Sequence, residues 1–440
     1  MKDNDMTVTG FIPYEDSAIA FYLKDYQMTI LDTKEMDFDS SKCMENNDGF
    51  IHCRSHRGLQ LSVFVDHYKV HVNGYGRINT AIYIIGNSYS IQPVTSFSTI
   101  LFRGGTLNKL FDPKALNIDL KRGEDIPVRQ IDDSVKYEFA TEDFHCIVSV
   151  QSNVTGKAGA EGNALQNDEV ILTMQFDREQ PFSTIKKHYF CIMNCLSFMT
   201  NRNNVGVDRI QLISDGKSDI EKHYFDVYVK NDKELTQKSR YRCISFSDLG
   251  ESLSDLLQLL YSNENNKRKI SLGFFPESDK EYGMVSNELI RSVCAAIECE
   301  ARYITIDEES SNSIDELREQ VKSVIKKYRK EHKGDDKITE RTYGLIFGSL
   351  DYWSLSATDK AIKMYHLHEE AMQSFPLDDQ DIANLIKHRN GITHDADQYI
   401  SHEIAETTIK LRTLIFCCLL RRIGVSEEKI VSISRLKLNR

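Results

Sequence analysis

Val285–Tyr303 reads VSNELIRSVCAAIECEARY, and at this stretch the hydrophobic pattern of the chain changes to a period of 3.6 residues. The new period persists through Ser313–Lys330, Glu340–Leu350, Ser354–Met372, Asp378–His388 and His402–Ile423. From residue 284 to 440 the expectation is therefore an all-α bundle. Gly424 stops the last long helix, and Ser426 with Glu427 and Glu428 begins a short final one.

Residues 1–230 read differently. Short runs, alternating or rich in β-branched and aromatic residues, recur at Ala18–Leu23, Leu59–Val65, Tyr68–Val72, Ala81–Ile85, Ser98–Phe102, Val135–Phe139, Phe144–Val150, Val170–Phe176, Ile210–Ile213 and Tyr224–Val229. Turn chemistry separates them, as in Asn73-Gly74, Gly104-Gly105 and Asp112-Pro113, and Ser152–Asp168 reads as a polar loop. The spacing predicts a sandwich or open barrel rather than a parallel sheet. Pro181–Met199 departs from it, with apolar residues at helical spacing, and is read as a helix packed on the sheet whose polar side carries Lys186, Lys187 and His188. Residues 231–283 form a connecting region with a short helix near Leu253–Tyr261. The fold class is thus α+β in two domains, a β-rich N-terminal part followed by a helical bundle.

Composition narrows function. The chain has 440 residues and a formal charge of -11, from 55 Lys+Arg against 66 Asp+Glu. Residues 1–230 hold 24 basic and 31 acidic side chains, and 231–440 hold 31 and 35, so both parts are acidic. Broad electrostatic coating of nucleic acid is excluded, because phosphate binding needs clustered cations. No apolar run reaches the ~18 residues of a membrane helix, the start lacks a signal-peptide pattern, and the expected location is cytoplasmic. The ten cysteines fall mostly inside apolar segments and read as reduced core thiols, including Cys191 with Cys195 and Cys294 with Cys299. His52, Cys53 and His56, with Cys43 nearby, lack the paired spacing of a zinc site, and neither a metal nor a cofactor is expected.

One segment carries chemistry: Ile386-Lys-His-Arg-Asn-Gly-Ile-Thr-His-Asp395. Arg389 and His394, five apart, would diverge by about 140° on an unbroken helix. Gly391-Ile392-Thr393 is poor helix material and Asp395 is a plausible cap, so the motif is expected to bend around a helix junction. There His394 could move a proton at neutral pH. Arg389 could hold a phosphate and the charge of a transition state, and Asn390 could orient either group. That set suits metal-independent cleavage of RNA by its own 2′-hydroxyl, which DNA lacks. A chance R-x4-H is expected ~0.7 times in this composition, and the added Asn lowers that to roughly 0.04.

Arg389-Asn-Gly-Ile-Thr-His394 resembles the R-[polar]-x3-H signature of HEPN-domain ribonucleases. With LIRSVCAAIECEARYI at Leu289–Ile304, TLIFCCLLRRIGVSEEKI at Thr413–Ile430 and VILTMQFDREQPFSTIKKHYFCIMNCLSFMTNRNN at Val170–Asn204, the chain is similar to the ApeA-type HEPN family of bacterial anti-phage proteins. The resemblance implies a metal-independent endoribonuclease of an abortive-infection system. Such an enzyme would cut host RNA, tRNA being the class in view, in a composite site built by two HEPN domains of a homo-oligomer, with 2′,3′-cyclic phosphate ends. It also implies catalytic roles for Arg389, Asn390 and His394, and a glutamate nearby. Periodicity sets Glu298 at the edge of its helix's apolar face and Glu300 inside it, and leaves open which approaches the site. A phage-derived trigger and restraint by the β-rich domain are further expectations. The alternative is a non-catalytic dimerisation or ligand-binding bundle with a β-rich recognition domain.

Other features have plainer readings. Lys322–Lys333 is a solvated basic face or, with Arg421 and Arg422, a phosphate-steering surface. His366 and His368 point to different sides of a helix, and Trp353 is a core or interface anchor.

Overall fold

The computed structural model describes residues 7–14, 17–31, 49–71, 75–88, 92–111, 116–118, 128–130, 134–159, 162–215, 222–231, 233–262, 270–303, 308–332, 338–351, 356–392 and 399–438. Two compact units result, Met1–Tyr282 together with Leu436–Leu438, and Gly283–Arg435. Cys43, Trp353, Lys333, His394 and Asp395 lie outside the described residues.

The first unit is built on strands β1 (Val8–Tyr14), β2 (Ser17–Lys24), β3 (Gln27–Ile30), β4 (Phe50–Ser55), β5 (Gln60–Phe64), β6 (His67–His71), β7 (Tyr75–Asn79) and β8 (Ile82–Gly86). They are followed by β9 (Ser96–Arg103), β10 (Leu116–Ile118), β11 (Val128–Gln130), β12 (Val135–Ala140), β13 (His145–Gly159), β14 (Gly162–Pro181), β15 (Arg209–Asp215) and β16 (Lys222–Val229). Fourteen of them form one antiparallel sheet in the order β12-β13-β14-β9-β15-β16-β8-β5-β4-β1-β2-β3-β7-β6, while β10 pairs with β11.

Part of that row closes on itself. Only Thr80 and Ala81 separate β7 from β8 in the chain, yet five strands lie between them in the sheet. Tyr26, at the β2–β3 turn, stands 5.3 Å from Tyr83 of β8, whereas a flat sheet would hold those strands roughly 20 Å apart. Ile12, Phe21, Met28, Ile51, Leu61, Ile78 and Tyr83 fill the interior of the curl, which is an open barrel. The described part of the chain carries short helices α1 (Leu107–Leu110) and α3 (Phe246–Leu249) as well as α2 (Ile185–Thr200) and α4 (Ser252–Tyr261) in this unit.

Two readings of this half are corrected. Ser152–Asp168 is paired strand, not a loop: β13 and β14 stay in register from Cys146↔Phe176 out to Gly159↔Gly162, past one irregularity at Asn153/Val154. An antiparallel ribbon satisfies its backbone groups across the pair, so it persists where polar sequence offers no core face. His188 is not on a polar side but fully buried. Its Nδ1 lies 2.6 Å from the Tyr261 hydroxyl, and Phe97, Phe144 and Phe176 surround the ring. Burial, with Lys187 adding to it, pulls the imidazole down to about 3, so it serves as a neutral core group. Lys186 and Lys187 do reach acids, Asp66 at 3.8 Å and Asp143 at 3.6 Å.

The second unit is helical: α5 (Asn287–Glu300), α6 (Glu308–Glu331), α7 (Glu340–Asp351), α8 (Ala357–His366), α9 (Asp379–Ile392), α10 (His402–Arg422) and α11 (Glu427–Ile433). Ser286, Ser356 and Ser401 cap α5, α8 and α10 through hydroxyls that accept from Leu289, Asp359 and Ile404 amides. Leu411, Leu414, Ile415, Cys417, Cys418 and Leu420 make α10 the buried axis against which α5, α8 and α9 pack. The helix read over Ser354–Met372 ends at His366, and the carbonyl of Ala371 instead accepts from the Ser434 hydroxyl at 2.6 Å. No helix among the described residues is long and apolar enough to cross a membrane.

Candidate functional site

Helix α9 buries Ile382, Leu385 and Ile392. Offsets of three, four and three residues join Ile382, Leu385, Arg389 and Ile392, so Arg389 occupies a place in the inward stripe where another hydrophobe would be the default. A cation there needs a partner. Glu298 of α5 supplies it, with Oε1 3.0 Å from Arg389 Nη2, and the two side chains keep about a third of their surfaces in contact with solvent. Arg389 Nη1 also donates to Oδ1 of the exposed Asn390 at 3.1 Å.

Glu298 and Arg291 stand two turns apart on α5. Arg291 Nη2 donates to the carbonyl of Ile392 at 2.9 Å. That carbonyl belongs to the last turn of α9, whose acceptors have no partners within the helix and sit at its negative end. Helix α5 therefore grips the last turn of α9 twice, once by the Arg389 side chain and once by the backbone. This corrects the expected exit at Gly391: a tertiary hydrogen bond carries the helix through two residues of poor propensity. The bend falls after Ile392, and the cap of the next described helix is Ser401.

Cys294, one turn before Glu298, is buried, and burial pushes its thiol up to about 12, with Arg389 opposing and Glu298 reinforcing the shift. It is not a nucleophile at neutral pH. His388 is a group that the sequence reading passed over. Its Nε2 is enclosed without a hydrogen-bond partner, and burial lowers its pKa. The signal was present, since it adjoins Arg389, but only packing shows that its outer nitrogen is shut off from water.

The structure thus brings Arg389, Asn390 and Glu298 together at the end of α9; His394 follows two residues after the last described position of that segment. Of the two glutamates, Glu298 is the one beside Arg389. Glu300 faces Arg422 of α10 at 3.1 Å, only 3% exposed, and burial raises it to about 7 against the pull of Arg422. Arg422 also stacks over Tyr303, 4.2 Å from the ring centre. Arg421 pairs with Glu427 at 2.9 Å and donates to the Leu367 carbonyl. Neither arginine stands free for phosphate steering. His366 lies on the surface between Glu369 and Asp379, which raise its pKa, while His368 is buried and its imidazole is pulled down to about 4. His52 and Cys53 are core groups of β4, bonded to the Ser62 hydroxyl and the Leu61 carbonyl. Among the described residues no group of three His, Cys, Asp or Glu is placed to hold a metal.

A helical bundle gripping an arginine-polar pair at the end of an inner helix is the architecture of a HEPN domain. Residues 292–429 match the family model described as Apea-like HEPN. The chain is an ApeA-type HEPN domain protein. HEPN domains are commonly ribonucleases, and this one points to a nuclease-type role in defence against phage. No curated protein matches the chain, and no solved structure does.

Proposed function

We propose that the protein is a metal-independent endoribonuclease that acts in abortive infection by cutting host RNA, tRNA being the class to test first. The observation that carries this reading is Arg389, a permanent cation built into the inward stripe of α9 and oriented by Glu298 and Asn390. In the proposed reaction His394 takes the proton from the 2′-hydroxyl, whose oxygen attacks the adjacent phosphorus. Arg389 stabilises the extra negative charge, Asn390 orients the phosphate, and the 5′-oxygen leaves with a proton. The products are a 2′,3′-cyclic phosphate and a 5′-hydroxyl. Two HEPN domains of a homo-oligomer would pool their motifs in one cleft, and the β-rich unit would restrain that cleft until a phage-derived trigger arrives.

The experiment is incubation of the purified chain with tRNA in EDTA. Discrete fragments with cyclic phosphate ends are expected from the wild type and none from His394→Ala. Cleavage that survives this substitution removes the assignment. The engagement of Arg389 by Glu298 also fits a second reading, a non-catalytic bundle that dimerises or binds a ligand. That reading is preferred if Arg389→Ala and His394→Ala both leave cellular toxicity and phage protection unchanged.

A further inference from the structure

Helix α6 is the longest of the helical unit, and it leaves an apolar edge uncovered. Leu317, Val324 and Tyr328 are 52%, 67% and 47% exposed, and half-buried Val321 lies among them. In sequence Ile314, Leu317, Val321, Val324 and Tyr328 are separated by three, four, three and four residues, the a/d spacing of a coiled-coil seam. The neighbouring face of α6 is occupied by α7: Arg329 ion-pairs with Glu340 and lies over Tyr343, 5.5 Å from its ring centre. The seam therefore has no cover from α7, its hairpin partner.

The charge of α6 says what would cover it. The first twelve residues, Glu308–Glu319, hold five acids and one base, and the last twelve, Gln320–Glu331, hold five bases and one acid. Preference for the helix dipole would sort charges in the first and last turns only, but here the segregation reaches Glu319 and Lys322 at the middle. Two such helices side by side in parallel set like charge on like. Run antiparallel about a two-fold axis, they set each acidic half on a basic half and Leu317 opposite Tyr328.

We propose that the exposed seam of α6 docks a second copy of this chain through antiparallel pairing of the two α6 helices. The inference is drawn from α6 alone and holds whether or not the HEPN cleft cleaves RNA, since its readout is mass rather than activity.

Sedimentation velocity of the full-length protein should show a dimer that dissociates as salt rises. Val324→Glu should weaken association by at least about tenfold, the effect of a charge placed in an apolar seam. Its helical circular dichroism should be unchanged, because the side chain is mostly exposed. Inverting the acidic half (Asp315→Lys, Glu316→Lys, Glu319→Lys) should give a monomer. Mixing it with the inverted basic half (Lys322→Glu, Lys326→Glu, Lys330→Glu) should restore a dimer. Orientation is read by oxidising a mixture of Leu317→Cys and Tyr328→Cys chains, a measurement helped by the burial of the nine described native cysteines. A crossed disulfide is expected, and like-with-like disulfides would refute antiparallel pairing. A monomeric wild type, or a dimer indifferent to Val324→Glu, overturns the proposal. So does loss of RNA binding by Val324→Glu with the dimer intact, which would assign the face to RNA.

Discussion

Glu298 and Glu300 stand two residues apart on α5, about 200° around its axis, and each meets an arginine near 3 Å. The first pair is open to solvent and joins α5 to the last turn of α9. The second is enclosed between α5 and α10, next to Tyr303. The same chemistry thus serves two ends: one pair presents a cation, the other ties helices. What separates them is the dielectric around them rather than their distance. In water an ion pair contributes little to stability, while a buried pair, once made, is costly to break from one side.

The largest effect expected from disturbing this contrast is on activity. If the Arg389 pair presents a catalytic cation, Arg389→Ala should cut RNA cleavage by at least about a hundredfold, measured by single-turnover fragment release, with little change in melting temperature. Arg422→Ala should do the reverse. It strands a buried carboxylate and should cost about 3–5 kcal/mol in urea titrations, against less than about 1 kcal/mol for Arg389→Ala. Equal losses for the two variants would break the distinction.

Proton linkage sharpens it further. Glu300 sits at about 7 in the fold against an ordinary 4.5, so the folded state holds a proton that the unfolded chain has released. Its contribution to stability is complete below 4.5 and is lost as pH rises through about 7. Melting temperatures between about pH 5 and about pH 8 should fall more steeply in wild type than in Glu300→Gln. A parallel profile in that variant would locate the titration elsewhere. The smallest effect concerns the second grip on α9. Arg291→Ala frees the Ile392 carbonyl and should cost about 1 kcal/mol, with faster amide exchange confined to the last turn of that helix.

How much of this the sequence disclosed follows from the range of the interactions involved. Helices α5 to α10 were legible because a period of 3.6 is local, and the open barrel was legible from short runs between turn residues. β4 was not, since Phe50, Ile51, His52 and Cys53 are buried on both faces and show no alternation. Polarity hid His188, whose burial depends on Tyr261, 73 positions away. The motif at Arg389 could be found by spacing. The choice between Glu298 and Glu300 could not, because it turns on which arginine of another helix lies opposite each. Arg389 itself breaks the apolar pattern of α9, the kind of local violation that functional positions produce.

The buried thiols have a use of their own. Burial holds Cys195, Cys294 and Cys417 up at about 12 and raises Cys146, Cys191 and Cys418 as well, so at neutral pH they are sheltered from alkylating reagents. Each becomes reactive only when its surroundings open. Cys146, Cys191 and Cys195 lie in the sheet unit, and Cys294, Cys417 and Cys418 in the helical one. A timed alkylation pulse read by mass would therefore clock the opening of each unit separately, with no label added to the chain.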